Sequence, residues 1–208
     1  RSVKDKGLLR SSTIYVNLEP CSHFGKTPPC SSLILSHKIP RAVISNTDPF
    51  PSVSGNGIEE MRRGGVDVVV GVLEKEGAFL NRRFLTYHQK KRPYIILKWA
   101  QTSDGFMDVI RKEGDPVGTN WITGEVARTL VHKWRSEESG LMVGTDTVLL
   151  DDPKLNVRRW AGSDPMRITV DRNNRIPMNA NILDGSQDTL LFTSEPEKYS
   201  GKVTTSMV

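Results

Sequence analysis

Short β-branched runs alternate with amphipathic stretches along this 208-residue chain, and that alternation predicts its architecture. Ser12 to Leu18 (STIYVNL) alternates β-branched and aromatic residues as a strand does. Arg41 to Ser45 and Val66 to Val70 read as two more strands, the second fully buried, with helices at Ser31 to His37 and Gly57 to Arg63. Leu73, Leu80, Phe84 and Tyr87 fall on one helical face, which predicts core packing. Lys90-Lys91-Arg92-Pro93 ends that helix and marks a domain boundary, being charged and stopped by proline. Beyond it, Tyr94 to Ala100 (YIILKWA) reads as a hydrophobic strand interrupted by Lys98. Val126, Leu130 and Trp134 stack at fourfold spacing on a helix opened by the cap-like Thr123. Gly140 to Val143, Met166 to Val170 and Asp188 to Phe192 read as further strands. Strand and helix in alternation predict a layered α/β fold with a largely parallel sheet, in two domains. No internal repeat interrupts the pattern.

Composition narrows the functional classes. The net charge of +5 suits anionic ligands such as phosphates, NADP or nucleic acid. Aromatic residues make up only 7% and do not interleave with basic ones, which argues against a stacking platform for nucleic acid. No charge-free apolar run is long enough to cross a bilayer, and the start lacks the apolar core of a secretory signal. Two cysteines in all point to a reducing cytoplasm.

Those two cysteines share one loop, Leu18-Glu19-Pro20-Cys21-Ser22-His23-Phe24-Gly25-Lys26-Thr27-Pro28-Pro29-Cys30, stiffened by proline and glycine after a strand. Two thiolates held this way suit zinc, whose catalytic sites take three protein ligands and leave a fourth position for water. The residues after Pro28-Pro29 read as a helix start, where the dipole favours thiolate over thiol at Cys30. A disulfide, or two unrelated thiols, is the plainer alternative. Lys98 raises a separate question. An ammonium inside a strand is costly unless paired or used, so it is either catalytic or snorkels to the sheet edge.

Pro-Cys followed by a second Cys is half of the signature of zinc nucleobase deaminases; the other half is an upstream His-x-Glu. Editing deaminases space the cysteines as Pro-Cys-x-x-Cys, whereas eight residues separate Cys21 from Cys30 here. The longer loop resembles the deaminase half of the bifunctional deaminase/reductase family of riboflavin biosynthesis. Lys98-Trp99-Ala100-Gln101-Thr102-Ser103-Asp104-Gly105, Trp121-Ile122-Thr123, Val143-Gly144-Thr145-Asp146-Thr147-Val148-Leu149 and Asp151-Asp152-Pro153-Lys154-Leu155-Asn156-Val157-Arg158 together resemble its reductase half. No His-x-Glu precedes Cys21. The expectation is a chain truncated at both ends, or one with a relic deaminase.

The resemblance implies a cytidine-deaminase-like three-layer domain over residues 1–92, followed by a dihydrofolate-reductase-like domain over residues 93–208. It implies zinc on Cys21 and Cys30 and hydrolytic deamination of a pyrimidinone bearing a ribosylamino 5-phosphate. NADPH-dependent reduction of ribosyl to ribityl follows. By motif position Ala100, Trp121, Thr147, Asp151 and Arg172 would contact NADPH. Thr119, Leu155 and Arg158 would face the substrate, with Lys98 and Asp151 catalytic. Arg158 suits the 5-phosphate through its planar fork of donors. Arg172, at the carboxyl edge of a strand, suits the 2′-phosphate of NADPH. A small phosphorylated substrate is the expected partner, not nucleic acid or membrane, and the resemblance leaves room for a homo-oligomer. Rival readings are a nucleic-acid deaminase and a non-catalytic basic binding protein.

Overall fold

In a computed structural model describing residues 3–50, 53–112, 114–199, 201 and 203–207, the chain divides into two compact units, Arg1–Leu97 and Lys98–Val208. The first contains a parallel sheet of β1 (Thr13–Leu18), β2 (Arg41–Asn46) and β3 (Asp67–Val70), in that spatial order. Thr13 lies opposite Arg41, and Arg41 opposite Asp67. Its helices are α1 (Cys30–Ser36), α2 (Asn56–Arg63), α3 (Glu74–Leu80) and α4 (Arg82–Lys90). Central β2 is buried along all but its first residue, as a parallel strand covered on both faces should be. Ile34, Ile39, Ala42, Ile44, Ile58, Met61, Val66 and Val68 form the core against it. Helix α3 lies so close to β2 that a Cβ on Gly77 would sit 2.0 Å from Ser45 Oγ.

Two expectations for this unit fail for identifiable reasons. β3 is not fully buried: Val68 is, but Val70 is 37% exposed, because β3 lies at the sheet edge. Leu73, Leu80, Phe84 and Tyr87 do not share one helical face. The helix breaks at Asn81 between α3 and α4, so spacing counted across the break has no meaning, and Leu73, Leu80 and Tyr87 are exposed.

The second unit holds a parallel sheet in the order β4 (Gly140–Gly144), β5 (Met166–Asp171), β6 (Thr189–Thr193) and β7 (Thr204–Met207). Helices α5 (Glu125–Glu137) and α6 (Thr145–Asp151) flank β4 in sequence. Parallel sheets in both units bear out the α/β expectation. Val148, Leu155, Ile176, Ala180, Ile182, Leu183, Leu191 and Tyr199 make the core. Arg167 of β5 is buried among them in the same sheet, its guanidinium donating to Asp184 Oδ1 at 2.7 Å, to the Asn181 carbonyl at 3.0 Å and to Ser186 Oγ at 2.9 Å.

Here too the hydrophobic pattern misleads. Tyr94 to Ala100 forms no strand, because a β-rich composition makes a strand only where a partner pairs with it, and none of the described strands pairs with this segment. Ile95, Leu97 and Trp99 are exposed. Helix α5 begins at Glu125 behind Gly124, without a side-chain cap from Thr123. Val126, Leu130 and Trp134 face outward, and the residue of α5 that is buried is His132.

Candidate functional site

In the first unit the cysteine loop is fixed from both sides onto α2. Glu19, 4% exposed, follows directly on β1, and its carboxylate accepts four backbone N–H bonds. Oε1 takes Gly57 and Ile58 at 3.0 and 3.2 Å; Oε2 takes Gly55 and Asp48 at 3.0 and 3.2 Å. A negative charge at a helix start meets unsatisfied amides and the positive dipole end together. Gly57 is required there, since a Cβ would lie 2.0 Å from the Pro20 carbonyl. On the other side of the loop, buried Ser31 donates to Glu60 Oε2 at 2.7 Å, and its backbone N–H donates to the Cys21 carbonyl at 3.2 Å.

The result brings the two cysteines together, with the Cys30 N–H donating to Cys21 Sγ at 3.4 Å. Both are free thiols. Burial, the hydrogen bond from the neighbouring sulfur and its charge push the Cys30 thiol up, opposite to the expectation from its place at the start of α1. Two residues past Cys21, the His23 ring lies tilted to Phe50 with centroids 6.2 Å apart, and Phe50 meets His88 of α4 edge-on at 5.5 Å. Among the described residues no group of three or more His, Cys, Asp or Glu is placed to hold a metal.

In the second unit one face of α5 carries two arginines around a buried histidine. Arg128, His132 and Arg135 follow one another at spacings of four and three, one helical face. His132 is 4% exposed, and its Nδ1 accepts the Arg158 backbone N–H at 3.3 Å. Burial first, and then the charges of Arg135, Arg158 and Arg159, push this imidazole down to about 4, so it is neutral. Arg135 donates to the Asn156 carbonyl at 2.5 Å, while its Nε is buried without a partner. Burial and the positive charge of Arg158 lower its affinity for its own proton. Arg158 itself is exposed and donates to Asn156 Oδ1 at 3.1 Å. Arg135 and Arg158 present planar forks of donors that suit an anion, with the Asp164 carboxylate opposing part of their charge at Arg135. Sequence reasoning singled out Arg158 and not Arg135; the one-face spacing of Arg128, His132 and Arg135 was the available signal for the latter.

At the carboxyl end of β5, Arg172 and Arg175 open onto a cleft of about 280 Å³ with Thr145, Val170, Asp171 and Asn173. The turn is held from beneath. Asp171, wholly buried, accepts the N–H groups of Arg175 and Ile176 at 2.9 and 2.7 Å and the hydroxyl of buried Tyr199 at 3.0 Å. Burial and that carboxylate raise the Tyr199 phenol well above its ordinary range. Asn174, in the left-handed region at φ 53°, donates to Ser194 Oγ at 3.2 Å. Arg172 is exposed, its guanidinium available to the cleft.

The other sequence-predicted residues lie in several places. Thr147 is exposed on the first turn of α6, and Asp151 ends that helix. Burial raises the Asp151 carboxyl, against the opposing pull of Arg111 and with help from Asp108. Trp121 is half exposed with the Arg128 guanidinium 4.5 Å over its ring. Thr119 and Lys98 are exposed, and Ala100 is partly so, in irregular chain. The argument that Lys98 is a buried ammonium therefore fails, because no strand forms around it. Leu155 is a core residue, 6% exposed at φ 56°. The cleft at Arg172 does not include Lys98, Ala100, Trp121, Thr147 or Asp151.

Comparison with known proteins converges on one family. The family described as the RibD C-terminal domain matches residues 93–206. Riboflavin biosynthesis protein RibD of Aquifex aeolicus is 39% identical over 93% of this chain and 54% of its own length; that of Actinobacillus pleuropneumoniae is 42% identical over 86% and 46%. The chain thus spans about half the length of the curated relatives it matches. A Thermotoga maritima diaminohydroxyphosphoribosylaminopyrimidine deaminase/5-amino-6-(5-phosphoribosylamino)uracil reductase superimposes with a TM-score of 0.83 at 39% identity, over 93% of this chain and 54% of that one. Acinetobacter baumannii RibD gives 0.85 at 32% identity, over 97% and 57%. With the match running over more than half its residues, the chain belongs to the RibD C-terminal domain family.

Proposed function

We propose that the unit Lys98–Val208 is the NADPH-dependent reductase part of a riboflavin-biosynthesis enzyme, turning the ribosylamino group of a pyrimidine 5-phosphate into ribitylamino. The observation that carries the reading is the exposed Arg172 over a cleft at the carboxyl end of a parallel strand, within the matched region. Open α/β sheets bind ligands at such ends. NADPH, when bound, supplies a hydride to the sugar's C1. As the C1–O bond opens, the ring oxygen, still attached to the sugar, would take a proton from solvent water and become a hydroxyl. Lys98, whose ammonium is exposed, would stabilise the charge that develops there. Asp151 and Thr147, on α6, and Trp121 and Ala100 hold the cofactor.

Arg172 and its rigid turn suit a 2′-phosphate. Arg158 and Arg135 suit the 5-phosphate: their crowding is relieved when a dianion arrives between them. Leu155 offers only its backbone, and Thr119 its exposed hydroxyl. The reading places the enzyme in the cytoplasm with a small-molecule partner. Among the described residues no helix is long and apolar enough to cross a membrane.

The unit Arg1–Leu97 we read as part of a zinc deaminase domain, supported by the adjacent sulfurs of Cys21 and Cys30. Those two donors fit zinc; the described residues supply no third to complete a site, so no deamination step is derived from this chain. Metal analysis of the full-length protein tests the reading: Cys21→Ser and Cys30→Ser should each lose zinc, and full retention in both would overturn it.

For the reductase, NADPH consumption by the full-length enzyme should depend on the phosphoribosylaminopyrimidine. Lys98→Met should lower that rate far more than NADPH affinity. An enzyme that consumes no NADPH with this substrate would contradict the proposal.

A further inference from the structure

Arg111 lies in the irregular stretch between Lys98 and α5 and belongs to none of the motifs that suggested the activity. Its side chain is only 14% exposed, and its guanidinium reaches five acceptors. Nε donates to Asp108 Oδ2 at 2.6 Å. Nη1 donates to the carbonyls of Pro116 and Leu150 at 3.2 and 3.3 Å, and Nη2 to the Gly118 carbonyl at 2.8 Å and Asp151 Oδ1 at 3.3 Å. A guanidinium has five N–H donors in a fixed fork, so every one is satisfied within the chain and none is left for a ligand.

The acceptors belong to two pieces of structure that the proposed chemistry needs in register. Asp108, Pro116 and Gly118 line the loop leading into Thr119 and Trp121. Leu150 and Asp151 end α6. The Gly118 N–H also donates to the Leu150 carbonyl at 2.8 Å, a second tie across the same junction. Farther along, Trp121 is fixed under Arg128 of α5. The loop is thus pinned at one end by Arg111 and at the other by a cation over its tryptophan.

We propose that Arg111 is a positioning residue: it clasps the loop carrying Thr119 and Trp121 to the end of α6, so that Trp121 and Asp151 form one cofactor surface, with Thr119 held toward the substrate by the same loop. The clasp needs the planar fork, because a lysine at the same place brings charge but only three donors from a single point. This inference rests on the reductase reading for its consequence, though not for the clasp itself.

Two measurements on the full-length protein separate the parts. Without any ligand, chymotryptic cleavage after Phe106 should be about tenfold or more faster in Arg111→Gln and in Arg111→Lys than in the wild type, since the charged bonds closing the loop are lost. Unchanged cleavage in both would overturn the clasp, whatever the protein's activity. NADPH affinity, read by tryptophan fluorescence, should fall about tenfold or more in both variants, while the thermal midpoint moves little. Rescue of affinity by Arg111→Lys would mean that charge alone matters and would overturn positioning. Faster cleavage with wild-type affinity would likewise overturn it, leaving a purely structural tie. A wild-type enzyme that binds no NADPH would refute the reductase reading, and with it the cofactor role given to Arg111, while cleavage still decides the clasp.

Discussion

Each unit buries one charged side chain against the backbone, and the two differ in sign and in place. Glu19 collects four amide N–H groups beside the cysteine loop. Arg167 gives its protons to backbone carbonyls, a hydroxyl and Asp184 near the amino end of β5. Arg172 and its cleft lie just past the other end of that strand, roughly 16 Å away at the rise of an extended chain. In the first unit, then, the element that holds the fold also shapes the candidate chemistry. In the second the two tasks are separated along a single strand.

Removing Glu19 should have the largest effect. Glu19→Ala strands four inward-facing amides, and we expect a loss of about 4 kcal/mol or more in urea unfolding. Cys21 and Cys30 should then react much faster with a thiol reagent, because their loop loses its anchor. Unchanged thiol reactivity in that variant would break the comparison. Arg167→Met should cost about 3 kcal/mol by leaving Asp184 and the carbonyls unmatched. NADPH affinity should stay near wild type; a parallel loss of affinity would show that stability and binding are not separated in this unit.

A pH series sharpens the second half. His132 is held down to about 4 in the folded unit, against an ordinary 6.5. Between those values the unfolded chain binds a proton that the folded one refuses, so stability rises with pH there. It is fully present above about 6.5 and is lost as pH falls toward 4, by up to on the order of 3 kcal/mol. His132→Gln should flatten that slope; an unaltered slope would assign the acid sensitivity to another group.

Much of this was legible in the sequence. β1, β2, β5 and β6 carry β-branched runs bounded by turn residues, and each appears within a residue or two of its expected place. β7, Thr204–Met207, has too little apolar character to stand out. Tyr94 to Ala100 has the strongest strand composition and forms none, since pairing is decided by edges that composition does not contain. Helix α5 teaches the reverse lesson. Its apolar stripe of Val126, Leu130 and Trp134 faces out, while the face that turns inward is held by His132 and Arg135 bonding to the segment Asn156–Arg158. Glu19 escaped notice beside the cysteines because its partners are backbone amides, which leave no mark in sequence.

The central claim is that the second unit reads NADPH through the turn at Arg172, and one binding measurement tests it directly. In the full-length enzyme, Arg172→Ala should weaken NADPH by about 2 kcal/mol, between one and two decades of affinity, and leave NADH nearly unchanged. The thermal midpoint should hold, since Arg172 is exposed. Equal loss for both cofactors, or none for either, would contradict the account.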